Sequence, residues 1–354
     1  MQSTPLQIGY LGVGRYIPAN ILTNAHLERM VDTSDDWIQQ RTGIQERRIM
    51  GQDETVLSMA TAAARDAMQR AGITADQISD IRVGVNTHLR WPSLATMVQH
   101  ELGIEDGTAS DISAGCSAYI FCVDSIYQKM MTEWLLEGKK SYALAIGVDA
   151  LSLITDWTDR GTCVLFGDGA GATVIGPVES GGILATTTRA QGKYGDLLYL
   201  TPYIKPMLED SDKMVFRERH GTNEPLIYME GRKVFPVAVR SMMADIKTVI
   251  EKYNRISGES LTLGDIEYVI PHQANHRIVS AVADGLKLPM EQVYSEGVVK
   301  YGNNSAASIP IGYVEQIGKR PGALEVDVAF GAGFASGAIL RRNPALITES
   351  SRAV

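Results

Sequence analysis

The sequence predicts an α/β protein built from two related halves, on three observations. Short apolar runs alternate with amphipathic stretches along the chain, the pattern of strands covered by helices. Phe166-Gly-Asp-Gly-Ala-Gly-Ala-Thr-Val-Ile175 is echoed, close to half a chain later, by Phe330-Gly-Ala-Gly-Phe-Ala-Ser-Gly-Ala-Ile339. Each is an aromatic residue, a glycine-rich turn and a small-residue apolar strand. The 354 residues are 45% hydrophobic, enough for one large core or two fused ones. A duplication puts a boundary near residue 177, giving halves 1–177 and 178–354. Chance similarity of two glycine-rich strands is the other explanation of the echo.

Taken in order, Ser58–Ala71 has helical spacing, and Ile81–Asn86 (IRVGVN) reads as a strand. In Ser117–Leu136 the apolar residues Tyr119, Val123, Ile126, Met130 and Trp134 recur every three or four positions, which predicts a helix. Tyr142–Val148 is a continuous apolar run and reads as a strand. Ile266–Ile270 and Val326–Phe330 are two more strands, with a helix over Asn275–Leu286 between them.

Two glycine signals are discounted. Gly12-Val-Gly14 lacks the third glycine of a dinucleotide fingerprint, and Pro18 sits where its helix should begin. Gly167–Gly171 and Gly331–Gly333 lead into strands, so they mark close approach of backbone to backbone or to a ligand.

Composition narrows the function. No run of 18 apolar residues occurs, which predicts no transmembrane helix. The N-terminus lacks the charged, apolar and small-residue regions of a signal peptide, so none is expected. Cys116, Cys122 and Cys163 are odd in number and have no CxxC spacing, which points to a reducing cytosol rather than a disulfide framework or a zinc site. The 33 Lys+Arg against 41 Asp+Glu give a net charge of −8, which argues against nucleic acid as partner. A local basic patch for an acidic carrier remains compatible with that balance.

Cys116 lies in Asp111-Ile-Ser-Ala-Gly-Cys-Ser-Ala-Tyr119, where small residues permit a tight turn into the helix. A cysteine at a helix N-terminus meets positive charge that favours its thiolate, with backbone N–H groups nearby to hold an oxyanion. A buried, inert cysteine is the bland reading, and it is the one adopted for Cys122 and Cys163. His272, in Val269-Ile-Pro-His-Gln-Ala-Asn275, follows a strand end, where α/β proteins place active-site groups. Asn303, in Gly302-Asn303, is by itself only a turn signal, followed by the small-residue run Ser305-Ala-Ala-Ser308.

Together these segments resemble ketoacyl-ACP synthase III, of the thiolase superfamily. The resemblance rests on Val31-Asp-Thr-Ser-Asp-Asp-Trp-Ile38, Arg41-Thr-Gly-Ile44, Thr158-Asp-Arg-Gly-Thr162 and Phe166-Gly-Asp-Gly-Ala-Gly171. It continues through Pro271-His-Gln-Ala-Asn275, Gly302-Asn303 with Ser305–Ser308, and Phe330-Gly-Ala-Gly-Phe334. The motifs fall in the family's order and span nearly the whole chain.

The resemblance implies a thiolase-like fold of layered αβαβα architecture and a Cys116–His272–Asn303 triad. It implies that Cys116 takes an acyl group from acyl-CoA and that malonyl-ACP or malonyl-CoA then condenses with it after losing CO2. No metal, flavin or nicotinamide enters that chemistry. It implies an oxyanion hole from the backbone N–H groups of Cys116 and Ala332, although the family usually has glycine at the latter. Trp37, Arg41 and Arg160 are implied to embrace the adenine end of coenzyme A, with Asn275 along the pantetheine path; partial core burial for Trp37 and surface ion pairs for the arginines are the alternatives. Arg277, Arg232 and Lys233 are implied at the entrance where an acyl carrier protein docks, although Pro236, Asp284 and Gly285 replace lysines common there. Trp91 and Phe166 are implied to line the acyl pocket. Trp91 stands for a phenylalanine that crosses a homodimer interface to close the partner's pocket. Residues 202–228, with Pro202, Pro206 and Arg217-Glu-Arg-His220, are longer than the usual connection and predict a loop over the site. These departures keep a specialised pathway open beside primary fatty acid synthesis. The competing functions are an acyltransferase or thioesterase that forms no carbon–carbon bond, and a non-catalytic partner of a related enzyme.

Overall fold

The computed structural model describes residues 6–344, apart from 90, 317 and the segment 201–224. Within that segment only the paired strands Lys205–Leu208 and Met214–Arg217 are described.

Strands buried on both faces build the first sheet. In Tyr142–Ala150, Ala143 and Ala145 belong to one core and Leu144, Ile146 and Val148 to another, as the two-residue period of a strand requires. This sheet contains β1 (Ile8–Tyr16), β2 (Ile78–Gly84), β3 (Thr108–Ile112), β4 (Tyr142–Ala150) and β5 (Asp168–Pro177), in the order β1-β5-β4-β2-β3. β2 pairs in parallel with β3 and β4, while β5 pairs antiparallel with β4 and β1.

The second sheet holds β6 (Gly182–Ala190), β7 (Tyr268–Pro271), β8 (Leu324–Phe330) and β9 (Ala335–Arg342), in the order β7-β8-β9-β6. β7 and β8 are parallel, and the other pairs are antiparallel. Read from its first strand, each sheet runs first, last, penultimate, second, with the same strand senses. An isolated parallel bridge from Val269 to Val293 stands where β3 lies in the first sheet.

The helices that matter here are α1 (Asp35–Thr42), α2 (Val56–Ala71), α3 (Ala118–Glu137), α4 (Gly231–Ser257), α5 (His276–Leu286) and α6 (Ser308–Gln316). α2 packs on the outer face of the first sheet against Leu144, Ile146 and Val148. α4 and α5 cover the outer face of the second against Val269, Val326 and Val328. α3 and α6 lie between the sheets. Tyr119, Ile120, Ile309 and Tyr313 share one core with Ala143 and Ala145 of the first sheet and Ile270, Ala329 and Ile339 of the second. The layers are therefore αβαβα, as the resemblance implies. Close approach explains a glycine in the middle of β4, because a Cβ on Gly147 would fall 2.2 Å from the Ala306 carbonyl oxygen.

Most boundaries shift by one to three residues from the sequence expectation, and two of the shifts bear on the site. β2 ends at Gly84, so Asn86 lies beyond the strand, and β7 starts only at Tyr268 because Ile266 closes a short 3₁₀ turn. The long connection begins and ends on paired strands, Leu198–Leu200 with Ile227–Met229. Pro202 and Glu218–His220 lie outside the described residues, and the side chains of Pro206 and Arg217 do too.

Candidate active site

The turn between β3 and α3 holds Cys116. Gly115 has φ +56°, a left-handed conformation that suits glycine. Ser117 Oγ sits 2.7 Å from the Ala114 carbonyl oxygen and 3.0 Å from that of Ala335, so one hydroxyl joins this turn to the other half of the chain. α3 then starts at Ala118, immediately after the cysteine's turn.

The two glycine-rich segments meet at this point. A Cβ on Gly115 would fall 2.3 Å from the Ala332 nitrogen, and one on Gly331 would fall 2.3 Å from the Cys116 nitrogen. Only glycine allows such crossing of two backbones. The crossing brings the N–H groups of Cys116 and Ala332 side by side, and neither donates to a backbone carbonyl among the turn and loop hydrogen bonds of the described residues.

His272 arrives from the opposite wall at the end of β7, where its N–H donates to the Val328 carbonyl at 2.8 Å. Its imidazole is fully buried and packs edge-on against Phe330, with ring centroids 5.8 Å apart. Nδ1 lies 2.7 Å from Ser308 Oγ, while Nε2 has no hydrogen-bond partner among the described residues. Burial lowers the pKa from 6.5 to about 3, so the ring is neutral near pH 7.

Asn303 is fixed by its own backbone. Its N–H donates to Leu165 O at 2.9 Å, and its carbonyl accepts from the Gly167 N–H at 3.0 Å. The Ser305 N–H donates to Oδ1 at 2.9 Å, which commits that oxygen and leaves Nδ2 as the outward donor. Ser305 reaches this position with φ +51°, a strained conformation for a residue with a Cβ.

Cys116, His272 and Asn303 all line one cavity of about 740 Å³. Ala332 and Phe166 line it as well, with Phe121, Leu151 and Leu165 giving it an apolar wall. Leu198, Leu200, Ile227 and Met229 show that the feet of the long connection form part of the cavity too. The Cys116 thiol departs from the sequence expectation of a helix-stabilised thiolate. Burial pushes its pKa from 9.0 up to about 12; a hydrogen bond with Ser305 pulls the other way and the nearby Asp149 carboxylate pushes further up.

The remaining sequence candidates fall in three places. Asn275 lines the cavity, caps α5 through Oδ1 and donates Nδ2–H to the Arg41 carbonyl at 3.1 Å. Trp37, in the first turn of α1, is half-buried against apolar neighbours, and the Arg160 guanidinium lies 4.6 Å from its ring centroid. That direct stack leaves no room for a purine between them, so a sandwiched adenine requires Arg160 to swing away from Asp32. Arg277 is exposed and covers Phe235, which lines the cavity; Arg232 is exposed in the first turn of α4, and Lys233 pairs with Glu230 at 2.6 Å. Trp91 does not line the cavity of its own chain. It is 96% exposed beside the edge strand β3, in a hollow that shares Leu89 with the cavity.

Sequence reasoning passed over several polar residues around the thiol. Ser305 and Ser308 were visible only as small residues of a packing run. Asp149 carried a signal, an acid closing the apolar run Tyr142–Val148, but its burial was not legible. Asn86 had none beyond its place after a strand.

Comparison with known proteins identifies the family. Residues 110–192 match the family model for 3-oxoacyl-[acyl-carrier-protein (ACP)] synthase III, and residues 256–342 match the model for its C-terminal part. The beta-ketoacyl-[acyl-carrier-protein] synthase III of Geobacillus kaustophilus is 44% identical over 339 residues, covering 94% of this chain and 98% of that protein. The crystal structure of the Aquifex aeolicus 3-oxoacyl-[acyl-carrier-protein] synthase III superposes with a TM-score of 0.81 at 40% identity, covering 95% of this chain and 99% of that one. The priming beta-ketosynthase of the R1128 polyketide biosynthetic pathway superposes with a TM-score of 0.80 at 29% identity, covering 97% and 98%. With relatives of this identity matched over nearly their full length, the chain belongs to the beta-ketoacyl-[acyl-carrier-protein] synthase III family.

Proposed function

We propose that the chain condenses an acyl group with a malonyl thioester in two half-reactions. In the first, Cys116 Sγ bonds to the acyl carbon of acyl-CoA, the carbon–sulfur bond to coenzyme A breaks, and coenzyme A leaves as the thiol, carrying the proton that Cys116 gives up. The N–H groups of Cys116 and Ala332 hold the tetrahedral oxyanion. In the second, malonyl-ACP or malonyl-CoA loses CO2, and the electron pair of the broken bond becomes an enolate. Nε2 of His272 and Nδ2 of Asn303 donate to that enolate oxygen. The carbanion attacks acyl-Cys116, the cysteine sulfur leaves as a thiolate that takes a proton from water, and a 3-oxoacyl thioester results. This chemistry uses coenzyme A thioesters as substrates and needs no resident cofactor.

The observation that carries the reading is the convergence of Cys116, His272 and Asn303 on one cavity beside the paired N–H groups of Cys116 and Ala332. Ser308 Oγ accepts from the Gln273 N–H at 3.3 Å, which turns its own proton towards His272 Nδ1; in that arrangement the ring proton sits on Nε2, the tautomer that donates. Two donors besides the paired N–H groups favour condensation over simple acyl transfer, which needs one oxyanion site.

Other assignments belong to the same proposal. The exposed Arg41 and Arg160 with Trp37 take the nucleotide end of coenzyme A at the mouth marked by Asn275. Arg277, Arg232 and Lys233 meet the acidic carrier. The halves 1–177 and 178–354 are separate duplicated units, a reading supported by their matching strand orders. A reducing, cytosolic setting suits three free cysteines.

Intact-protein mass spectrometry with a panel of acyl-CoAs tests the reading. The wild type is expected to gain one acyl mass, and Cys122→Ala and Cys163→Ala to gain it equally. Cys116→Ala is expected to gain none. Persistent acylation of Cys116→Ala sinks the proposal.

A further inference from the structure

Behind the thiol lies a polar cluster that the two half-reactions do not use. Asp149, at the end of β4, is fully buried and has no cationic partner among the described residues. Its Oδ1 accepts from the N–H of Asn86 (2.8 Å), the N–H of Thr87 (3.0 Å) and the hydroxyl of Thr87 (3.1 Å). Its Oδ2 accepts from Asn86 Nδ2 at 2.9 Å. A carboxylate with this many donors fixes both the backbone and the side chain of Asn86.

Asn86 Nδ2 also lies 3.1 Å from the Gly115 carbonyl oxygen and 3.3 Å from Ser305 Oγ. The first contact falls on a particular peptide group. The carbonyl of the Gly115–Cys116 peptide is the one Asn86 holds, and the nitrogen of the same peptide is the one that lies against Gly331 where the two turns cross. A trans peptide is planar, so its C=O and N–H point in opposite directions. Pinning the oxygen therefore aims the N–H. Donation to the oxygen also polarises the peptide and strengthens its N–H as a donor.

We propose that Asn86, held by Asp149, is a positioning residue that aims the Cys116 N–H at the developing oxyanion. Asn86 also lines the cavity, and in this role it acts through the Gly115–Cys116 peptide rather than on the acyl group itself. The inference rests on the reading of Cys116 as the acylated residue.

Two reactions of the same thiol test it. Alkylation by iodoacetamide is a displacement that develops no oxyanion, whereas acylation by acyl-CoA passes through one. Removing an oxyanion donor outright costs about a hundred- to a thousand-fold, so a misaimed donor in Asn86→Ala is expected to slow acyl-enzyme formation by about ten- to a hundred-fold. The loss should fall on the rate at saturating acyl-CoA, with the half-saturating concentration little changed. Alkylation of the same variant should stay within about threefold of wild type. Asn86→Ser, whose shorter hydroxyl reaches the carbonyl less well, should show the same split at smaller size, and it carries the test should Asn86→Ala not fold. Equal losses of acylation and alkylation, or undiminished acylation, overturn the proposal. Failure of the wild type to take any acyl group on Cys116 overturns the underlying reading instead.

Discussion

At the scale of single residues, magnitudes decide how the thiol and the imidazole behave. A helix N-terminus contributes about 0.3–2 kcal/mol to a nearby anion, about one pKa unit. Burial carries Cys116 the other way, from 9.0 to about 12, so the free enzyme holds a thiol. His272 is neutral for the same reason, with its pKa at about 3. The unfolded chain binds a proton at His272 below about pH 6.5, and the native chain refuses it down to about pH 3. The stability that this residue contributes is thus present above pH 6.5 and lost as pH falls towards 3. Wild type is expected to lose about 2–3 kcal/mol more than His272→Gln between pH 7 and pH 4, read as diverging thermal midpoints. The raised carboxyls of Asp149 and Asp168 act in the opposite sense but are common to both proteins. Parallel curves would show that His272 is not protected from protonation. Asn303→Ala separates the half-reactions: acyl loading persists, while labelled CO2 release from malonyl thioester falls by about a hundred- to a thousand-fold. Normal CO2 release would remove Asn303 from the decarboxylation step. Cys116 and His272 were legible from their settings, a tight turn into a helix and a strand end, whereas Asn303 was by itself only a turn signal and was named through the family resemblance. Ser308, Asn86 and Asp149 were not, because a hydrogen bond to Nδ1 or to a carbonyl across the fold leaves no local trace in sequence.

At the scale of elements, the site is a crossing of two turns, one before α3 and one before β9. The glycine patterns announced close approach, but not which backbone each would meet. The structure answers with Gly331 against the Cys116 nitrogen and Gly115 against the Ala332 nitrogen. This predicts a contrast between neighbours. Gly331→Ala must push the Cys116 backbone aside, and a misplacement of about 1 Å at a reacting group costs about a hundred-fold. Acyl-enzyme formation is the measurement, and a loss of that order is expected. Gly333 has open space around its Cβ position and a φ of +76°, so Gly333→Ala displaces no backbone and carries the left-handed cost of about 1–2 kcal/mol together with one methyl at the cavity wall. It should lower the thermal midpoint and acylate close to normally. Equal acylation in the two variants would mean that the crossing does not set the oxyanion geometry. The α3 helix itself was readable from its apolar spacing, whereas the start of β7 was not, since Ile266 and Tyr268 are both apolar and only the 3₁₀ turn separates them.

At the scale of the molecule, the two glycine-rich strands foreshadowed the matching strand orders of the two sheets, and the second copy that the family resemblance implied has a counterpart in what is left exposed. β3 closes one end of the first sheet, and nothing in the described chain pairs with its outer edge. An open edge is a template for another strand, and a two-fold axis beside it would pair β3 with the β3 of a second copy. Trp91 stands next to that edge, 96% exposed, with Leu89 between its hollow and the Cys116 cavity. Burying such an indole yields about 1.5–3 kcal/mol from apolar area alone, which gives a second chain reason to cover it. The expected assembly is a homodimer in which Trp91 of each protomer closes the far end of the other's cavity. Light scattering is expected to give twice the monomer mass of 38.5 kDa at assay concentration. Trp91→Ala is expected to keep the acyl-enzyme chemistry and shift the accepted acyl-CoAs towards longer or bulkier chains, because the indole no longer caps the cavity. The two measurements separate the parts of the claim. A fully active monomer would refute the assembly, whereas a dimer whose acyl-CoA profile is unmoved by Trp91→Ala would place the indole in the interface but away from the acyl chain.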